Sequence, residues 1–187
     1  MFRDGFDSYT FPGDAPITCE VDGYTLTARL EHDHGDPPWE REDGHGPVSE
    51  WTSRPKRPGE WVLTTDHGSF RYYDAQAAIK QAKAECWGPR DVYTWATPAE
   101  RAAIAVRDDF EVLKAWCDDD DWCYVGVVIS VSRNDVLLDD HAASLWGVEC
   151  NYPGSDNGYL TEVANELIPE ALASAKAARA RMLEILK

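Results

Sequence analysis

Three histidines in one short segment have the side-chain type and spacing that could bind a metal ion: His32, His34 and His45. Alternate residues of an extended segment point the same way, so His32 and His34 could share zinc or another divalent metal with His45. His-Gly and Asp-Gly pairs are also typical of turns, in which the same side chains cap loop backbone. We therefore expect no cofactor, with a bound zinc or other divalent metal ion as the alternative.

A run of four aspartates, 118–121, lies between Cys117 and Cys123. Five residues separate the two cysteines, which is not the spacing of a CxxC zinc or redox site. The run also lacks the alternating ligands and central glycine of a calcium-binding EF-hand loop. Such runs are ordinarily solvated helix ends, but carboxylates are unfavourable at the negative end of the helix dipole. A surface for a partner, or a cation site, therefore stays an alternative interpretation.

The sequence contains no recognisable catalytic motif. Asp139, Asp140 and His141 could orient a general base, but no serine or cysteine lies in a nucleophile elbow or triad motif. No glycine-rich loop follows a predicted strand and precedes a helix, as phosphate-binding loops do. The sequence therefore favours a binding protein over an enzyme, and no catalytic residue is assigned.

The chain is strongly acidic, with 34 acidic and 18 basic residues and a net charge of −16 over 187 residues. A field of this sign repels nucleic acid and anionic membranes and attracts basic protein surfaces. We therefore expect a basic protein partner, and no direct binding of nucleic acid or membrane. The candidate contact residues are the acids in and near the aspartate run: Asp108, Asp109, Glu111, Asp118, Asp119, Asp120, Asp121, Asp139 and Asp140.

The sequence also favours a cytoplasmic location. Its N-terminus lacks the basic start and apolar run of a signal peptide, and no apolar run approaches the length of a membrane span. The five cysteines are odd in number and scattered, which is typical of free thiols in a reducing compartment.

The elements that would position these residues belong to the α+β class. Period-two alternation predicts strands, and helical periodicity with capping signals predicts helices, the last of them kinked or divided at Pro169. The predicted strands are 17–21, 24–31, 60–66, 69–73, 124–132, 136–138 and 144–150, and the predicted helices are 74–87, 97–117 and 159–186. Asp139–His141 interrupts the last strands as a bulge or a short loop. We predict an antiparallel sheet of about five or six strands packed against about three helices.

The domain prediction is a single domain over residues 1–187. It includes an irregular N-terminal arm, 1–16, and a long Pro-, Gly- and His-rich loop, 32–59. Loops of this length in a compact domain are usually functional or mobile.

Several segments of this chain resemble a family of small acidic proteins that bacteriophages and prophages encode. The segments are EDGHGPVSEW, RYYDAQAAIKQAK, LKAWCDDDDWCYVGVVISVSRNDVLLDDHAASLWGVE and NYPGSDNGYLTEVANEL, and the resemblance spans residues 17–175. It implies the cytoplasm of an infected bacterium and an accessory role. It carries no catalytic residue to this chain.

In that context we expect an accessory protein that binds and inhibits a host nucleic-acid-handling or defence protein. Carboxylates on a rigid surface can imitate the phosphates of DNA, with the same steep dependence on salt. Two alternatives remain. One is a small metal-binding protein or enzyme that uses the loop of His32, His34 and His45, and the other is a structural or morphogenesis protein of the virion.

Overall fold

The computed structural model describes residues 1–41, 44–88, 95–118 and 121–185. The chain divides into two compact units, called unit 1 (Met1–Gly35 with Asp121–Lys187) and unit 2 (Asp36–Asp120) below. The predicted α+β class is confirmed. Among the described residues, however, the six strands form two sheets rather than one, and there are five helices rather than three. The single domain stays a prediction.

The elements follow one another as β1 (Ile17–Val21), β2 (Tyr24–His32), α1 (Pro38–Arg41), β3 (Glu60–Asp66), β4 (Ser69–Asp74), α2 (Ala75–Glu85), α3 (Pro98–Cys117), β5 (Cys123–Arg133), β6 (Val136–Cys150), α4 (Gly158–Glu166) and α5 (Ile168–Ile185). Unit 1 contains an antiparallel sheet in the order β1-β2-β5-β6, and unit 2 contains the β3–β4 pair. Within the described ranges, no helix is long and apolar enough to cross a membrane.

Both hairpins of unit 1 turn on residues that accept a positive φ. Asp22 and Gly23 join β1 to β2 with φ of 54° and 74°, and Asn134 and Asp135 join β5 to β6 with φ of 48° and 62°. Two consecutive positive φ angles define the type I′ turn, whose twist matches that of the flanking strands. Local sequence thus sets the register of both hairpins, as predicted.

Strand β6 continues through Asp139, Asp140 and His141, where the sequence left a bulge or a loop open. Val131 pairs with Asp139 and Ile129 pairs with Ala143, so three residues of β6 lie opposite Ser130. The interruption is therefore a bulge in a continuous strand.

The core of unit 1 lies between one face of its sheet and the helices α4 and α5. Val125, Val127, Ile129 and Val131 are fully buried there, as predicted for one face of the strand, but Tyr124 and Val128 on its opposite face are buried as well. Residues 1–16 contain no helix or strand, and Phe2 packs into this core. The last helical segment is divided next to Pro169, because proline cannot donate a helical hydrogen bond.

Unit 2 packs its sheet against α2 and α3, with Leu63, Tyr73, Val106 and Leu113 fully buried. Helix α2 ends at Glu85, earlier than predicted. Its C-cap residue, Cys86, adopts a left-handed φ of 59° and donates its N–H to the Ala82 carbonyl, which terminates the helix.

The long loop 32–59 contains α1 and then runs beside β4. The Ser49 N–H donates to the Tyr72 carbonyl at 2.8 Å, and Thr52 and Phe70 exchange two backbone hydrogen bonds. This pairing fixes the loop segment that carries Trp51 against β4.

Candidate functional site

Helix α3 and its C-cap carry four of the predicted contact residues, and the start of the helix is fixed by a capping box. Thr97 Oγ1 accepts from the Glu100 N–H at 3.3 Å, while the Thr97 N–H donates to Glu100 Oε2 at 2.7 Å. These hydrogen bonds lower the pKa of Glu100, since they stabilise its ionised form. The predicted capping box is confirmed. Because it fixes the residue at which α3 begins, it determines which side of the helix each later residue occupies.

Asp108, Glu111 and Asp118 are exposed and lie on one side of α3 and its C-cap; we call these three residues the acidic stripe. At about 100° per residue they fall within an arc of about 80°. The Asp118 carboxylate accepts from Lys114 Nζ at 2.7 Å, which offsets its unfavourable position at the helix end. Asp108 and Glu111 have no ion pair or hydrogen bond with any described residue.

The acidic stripe is a sparser array of charge than a DNA backbone. Its three carboxylates span about 15 Å along the helix axis at about 1.5 Å per residue. Duplex DNA carries about nine phosphates over the same length. The three described carboxylates therefore do not reproduce the charge density of a DNA backbone.

Asp109, also predicted as a contact residue, lies inside unit 2, and only 8% of its side chain is exposed. Its Oδ1 contacts His45 Nδ1 at 2.6 Å, and its Oδ2 accepts from the Gly46 N–H at 2.8 Å and the Tyr73 hydroxyl at 2.6 Å. Burial, together with the adjacent Asp109 carboxylate, raises the pKa of Tyr73 well above its usual range, so this hydroxyl stays a donor. Asp109 therefore joins α3 to β4 and to the long loop 32–59.

Asp121, Asp139 and Asp140 lie in unit 1, and each has an intramolecular partner. Asp121 accepts from the Tyr9 hydroxyl. Asp139 accepts from Ser174 Oγ at 2.5 Å, and Asp140 accepts from Arg29 Nη1 at 3.3 Å. The Arg29 guanidinium offsets the charge of Asp140, whereas the neutral hydroxyls of Tyr9 and Ser174 leave Asp121 and Asp139 charged. Asp119 and Asp120 lie outside the described residues.

The predicted three-histidine site is divided between the units. The rings of His32 and His34 stack in unit 1 with centroids 5.4 Å apart, while His45 lies in unit 2 beside Asp109. In the part of the chain that the structure describes, no group of three or more His, Cys, Asp or Glu side chains is arranged to hold a metal ion. Metal binding by these histidines stays a prediction.

The sequence did not point to Arg71, whose guanidinium lies over two indole rings in unit 2. Its guanidinium carbon is 5.3 Å from the ring centroid of Trp39 and 5.3 Å from that of Trp51. The nearest signal in the sequence was the pair of tryptophans within an otherwise polar loop. Their convergence on one arginine depends on the pairing of that loop with β4.

Comparison of the chain with protein-family models, with curated proteins and with solved structures found no match. The resemblance to acidic bacteriophage proteins therefore stays a prediction.

Proposed function

We propose that this protein is an accessory binding protein that docks onto the basic surface of a nucleic-acid-handling or defence protein of a bacterial host and blocks it. The observation that supports the proposal is the acidic stripe on α3, a rigid helix whose other face is packed in the core of unit 2. The bacteriophage context rests on the family resemblance, and imitation of DNA is the finer form of the same proposal.

Charge complementarity explains why such a surface would be effective. Exposed carboxylates on a rigid helix attract a basic surface at long range and raise the association rate. Asp108 and Glu111 lack partners among the described residues, so binding breaks no existing ion pair at either position. Each exposed charge contributes about 0.5 kcal/mol, so three together would account for about a tenfold difference in affinity.

The test is affinity capture of basic proteins from bacterial lysate with three forms of the tagged protein. The stripe variant is Asp108→Asn with Glu111→Gln and Asp118→Asn. The control variant is Glu162→Gln with Glu166→Gln and Glu170→Gln, three exposed carboxylates of unit 1. Both variants remove the same net charge, so a difference between them reports on position rather than on total charge.

We expect the wild type and the control variant to retain a basic partner that elutes with salt, and the stripe variant to bind it about tenfold more weakly. The Kd is then measured by calorimetry with the purified partner at two salt concentrations. Equal retention by the stripe variant, or equal loss by the control variant, would contradict docking through the stripe.

A further inference from the structure

Unit 2 contains an open cavity of about 260 Å³ formed where five pieces of chain meet. Trp39 comes from α1, Trp51 from the loop beside β4, and Trp116 from the last turn of α3. Arg71 on β4 and its cross-strand partner Thr64 on β3 complete the polar part of the wall, together with the thiol of Cys117. We call this cavity the Arg71 pocket.

Arg71 has no carboxylate partner among the residues that the structure describes. Its guanidinium carbon lies over the ring of Trp39 and over the ring of Trp51; the residue is half-buried and makes no hydrogen bond or ion pair with a described residue. These contacts bring the positive charge to the aromatic rings and leave the guanidinium N–H donors without an acceptor among the described residues. A half-buried cation with free donors is a favourable site for an anion.

Arg54 in the same unit also lies over an aromatic ring, and its N–H donors are paired with a carboxylate. Its guanidinium carbon lies 4.7 Å from the Tyr72 ring centroid, and its edge donates to both oxygens of Glu60 at 2.7 and 2.5 Å. The pairing lowers the pKa of Glu60 to about 2, since the arginine stabilises the carboxylate. Arg71 has the aromatic partners but lacks the carboxylate.

The other described residues that line the Arg71 pocket are uncharged at neutral pH. Burial and the neighbouring Asp118 raise the pKa of Cys117 to about 11, so its thiol keeps its proton. Thr64 contributes a neutral hydroxyl, and the three indoles contribute apolar surface. One positive edge in an otherwise aromatic cavity selects a ligand with one negative group and a flat apolar body.

The volume of the cavity and the net charge of unit 2 restrict the class of ligand further. The open cavity of about 260 Å³ exceeds the roughly 150 Å³ that encloses benzene, so it has room for a single aromatic ring. Residues 36–120 include 17 acidic and 11 basic residues, a net charge of −6, so a monoanion is repelled less than a phosphate dianion. One aromatic ring bearing one carboxylate meets both limits.

We propose that the Arg71 pocket binds a small aromatic carboxylate, with the carboxylate paired to the Arg71 edge and the ring against the tryptophans. This ligand site goes beyond the proposed docking function and uses none of the residues of the acidic stripe.

Isothermal titration calorimetry of the full chain with benzoate, benzyl alcohol and inorganic phosphate tests the proposal at constant ionic strength. Benzyl alcohol keeps the ring without the charge, and phosphate keeps the charge without the ring. We expect benzoate to bind at one site per chain, about tenfold or more tighter than either comparison ligand. Arg71→Gln should weaken benzoate binding about tenfold, and the exposed-site control Lys80→Gln should leave it within about twofold.

The comparison of ligands needs no variant, so the test holds even if Arg71→Gln unfolds unit 2. Arg71→Lys is the second variant, because it keeps the charge and loses the planar fork, and we expect an intermediate affinity. The proposal is overturned by absence of benzoate binding up to about 10 mM, by equal affinity for benzyl alcohol, by tighter binding of phosphate, or by an equal loss in Lys80→Gln.

Discussion

Replacing Asp109 with alanine removes one carboxylate from the interior of unit 2 and leaves three donors without their acceptor. The Tyr73 hydroxyl and the Gly46 N–H belong to buried residues, and the side chain of His45 is 16% exposed. A ring nitrogen with some exposure can find water, whereas the Gly46 N–H cannot and the Tyr73 hydroxyl keeps only the Val106 carbonyl, at 3.5 Å. The cost of the substitution therefore depends on Tyr73 and Gly46.

Each buried donor left without a partner costs about 1–3 kcal/mol, so we expect Asp109→Ala to lower the free energy of unfolding by about 3 kcal/mol. Asp109→Asn should cost only about 1 kcal/mol. Its amide oxygen can replace Oδ2 and accept from both buried donors, and its amide N–H can donate to His45 Nδ1 in the other neutral tautomer.

Urea unfolding followed by tryptophan fluorescence measures these differences, since six of the eight tryptophans lie in residues 36–120. Asp108→Ala is the matched control, because Asp108 is the exposed neighbour on the same helix and should change stability by less than about 0.5 kcal/mol. In a Tyr73→Phe background, Asp109→Ala should cost about 1–2 kcal/mol less than in the wild type.

A loss below about 1 kcal/mol for Asp109→Ala would refute the assignment of this carboxylate as a buried acceptor. Equal losses for Asp109→Asn and Asp109→Ala would refute the argument from hydrogen-bond geometry. A cost at Asp108 equal to that at Asp109 would show that helix propensity, and not the buried hydrogen bonds, explains both values.

Three further predictions concern other parts of the chain. Arg54 lowers the pKa of Glu60 from 4.5 to about 2. The pair therefore stabilises the fold fully above pH 4.5, and this contribution is lost as the pH falls to about 2. In Glu60→Gln we expect the free energy of unfolding, measured by urea unfolding at each pH, to fall less steeply over that range. Gly126→Ala places a Cβ 2.5 Å from a ring carbon of Trp146, and we expect a loss of about 1–3 kcal/mol that is smaller when Trp146 is also replaced by alanine. Thr97→Ala removes the N-cap of α3 and should cost about 1 kcal/mol in thermal or urea unfolding, whereas Thr97→Ser should cost little.

Sequence reasoning succeeded where neighbouring residues determine the structure. The turn at Asp22 and Gly23 follows from residues that accept a positive φ, and the start of α3 at Thr97 follows from the capping box. The core-facing position of every second residue from Val125 to Val131 follows from the period of a strand. Each of these features depends on residues within a few positions of one another.

The helical periodicity of α3 distinguishes Asp109 from Asp108, although the two residues carry the same charge. Asp108 and Asp109 are adjacent and alike in type, so both were predicted as contact residues. Asp109, however, is three residues after Val106 and four before Leu113, two fully buried positions of α3. Helical periodicity places it on the buried face, and its neighbour on the exposed one.

The sequence by itself determined the α+β class, the positions of the hairpins and the long capped helix, because these depend on local periodicity and turn chemistry. Only the tertiary structure decided that six strands form two sheets, that Asp109 meets His45 and Tyr73, and that Arg71 lies over two tryptophan rings. These features require segments distant in sequence to pack together. Such pairings are selected by the burial of the whole core, and no short stretch of sequence encodes them.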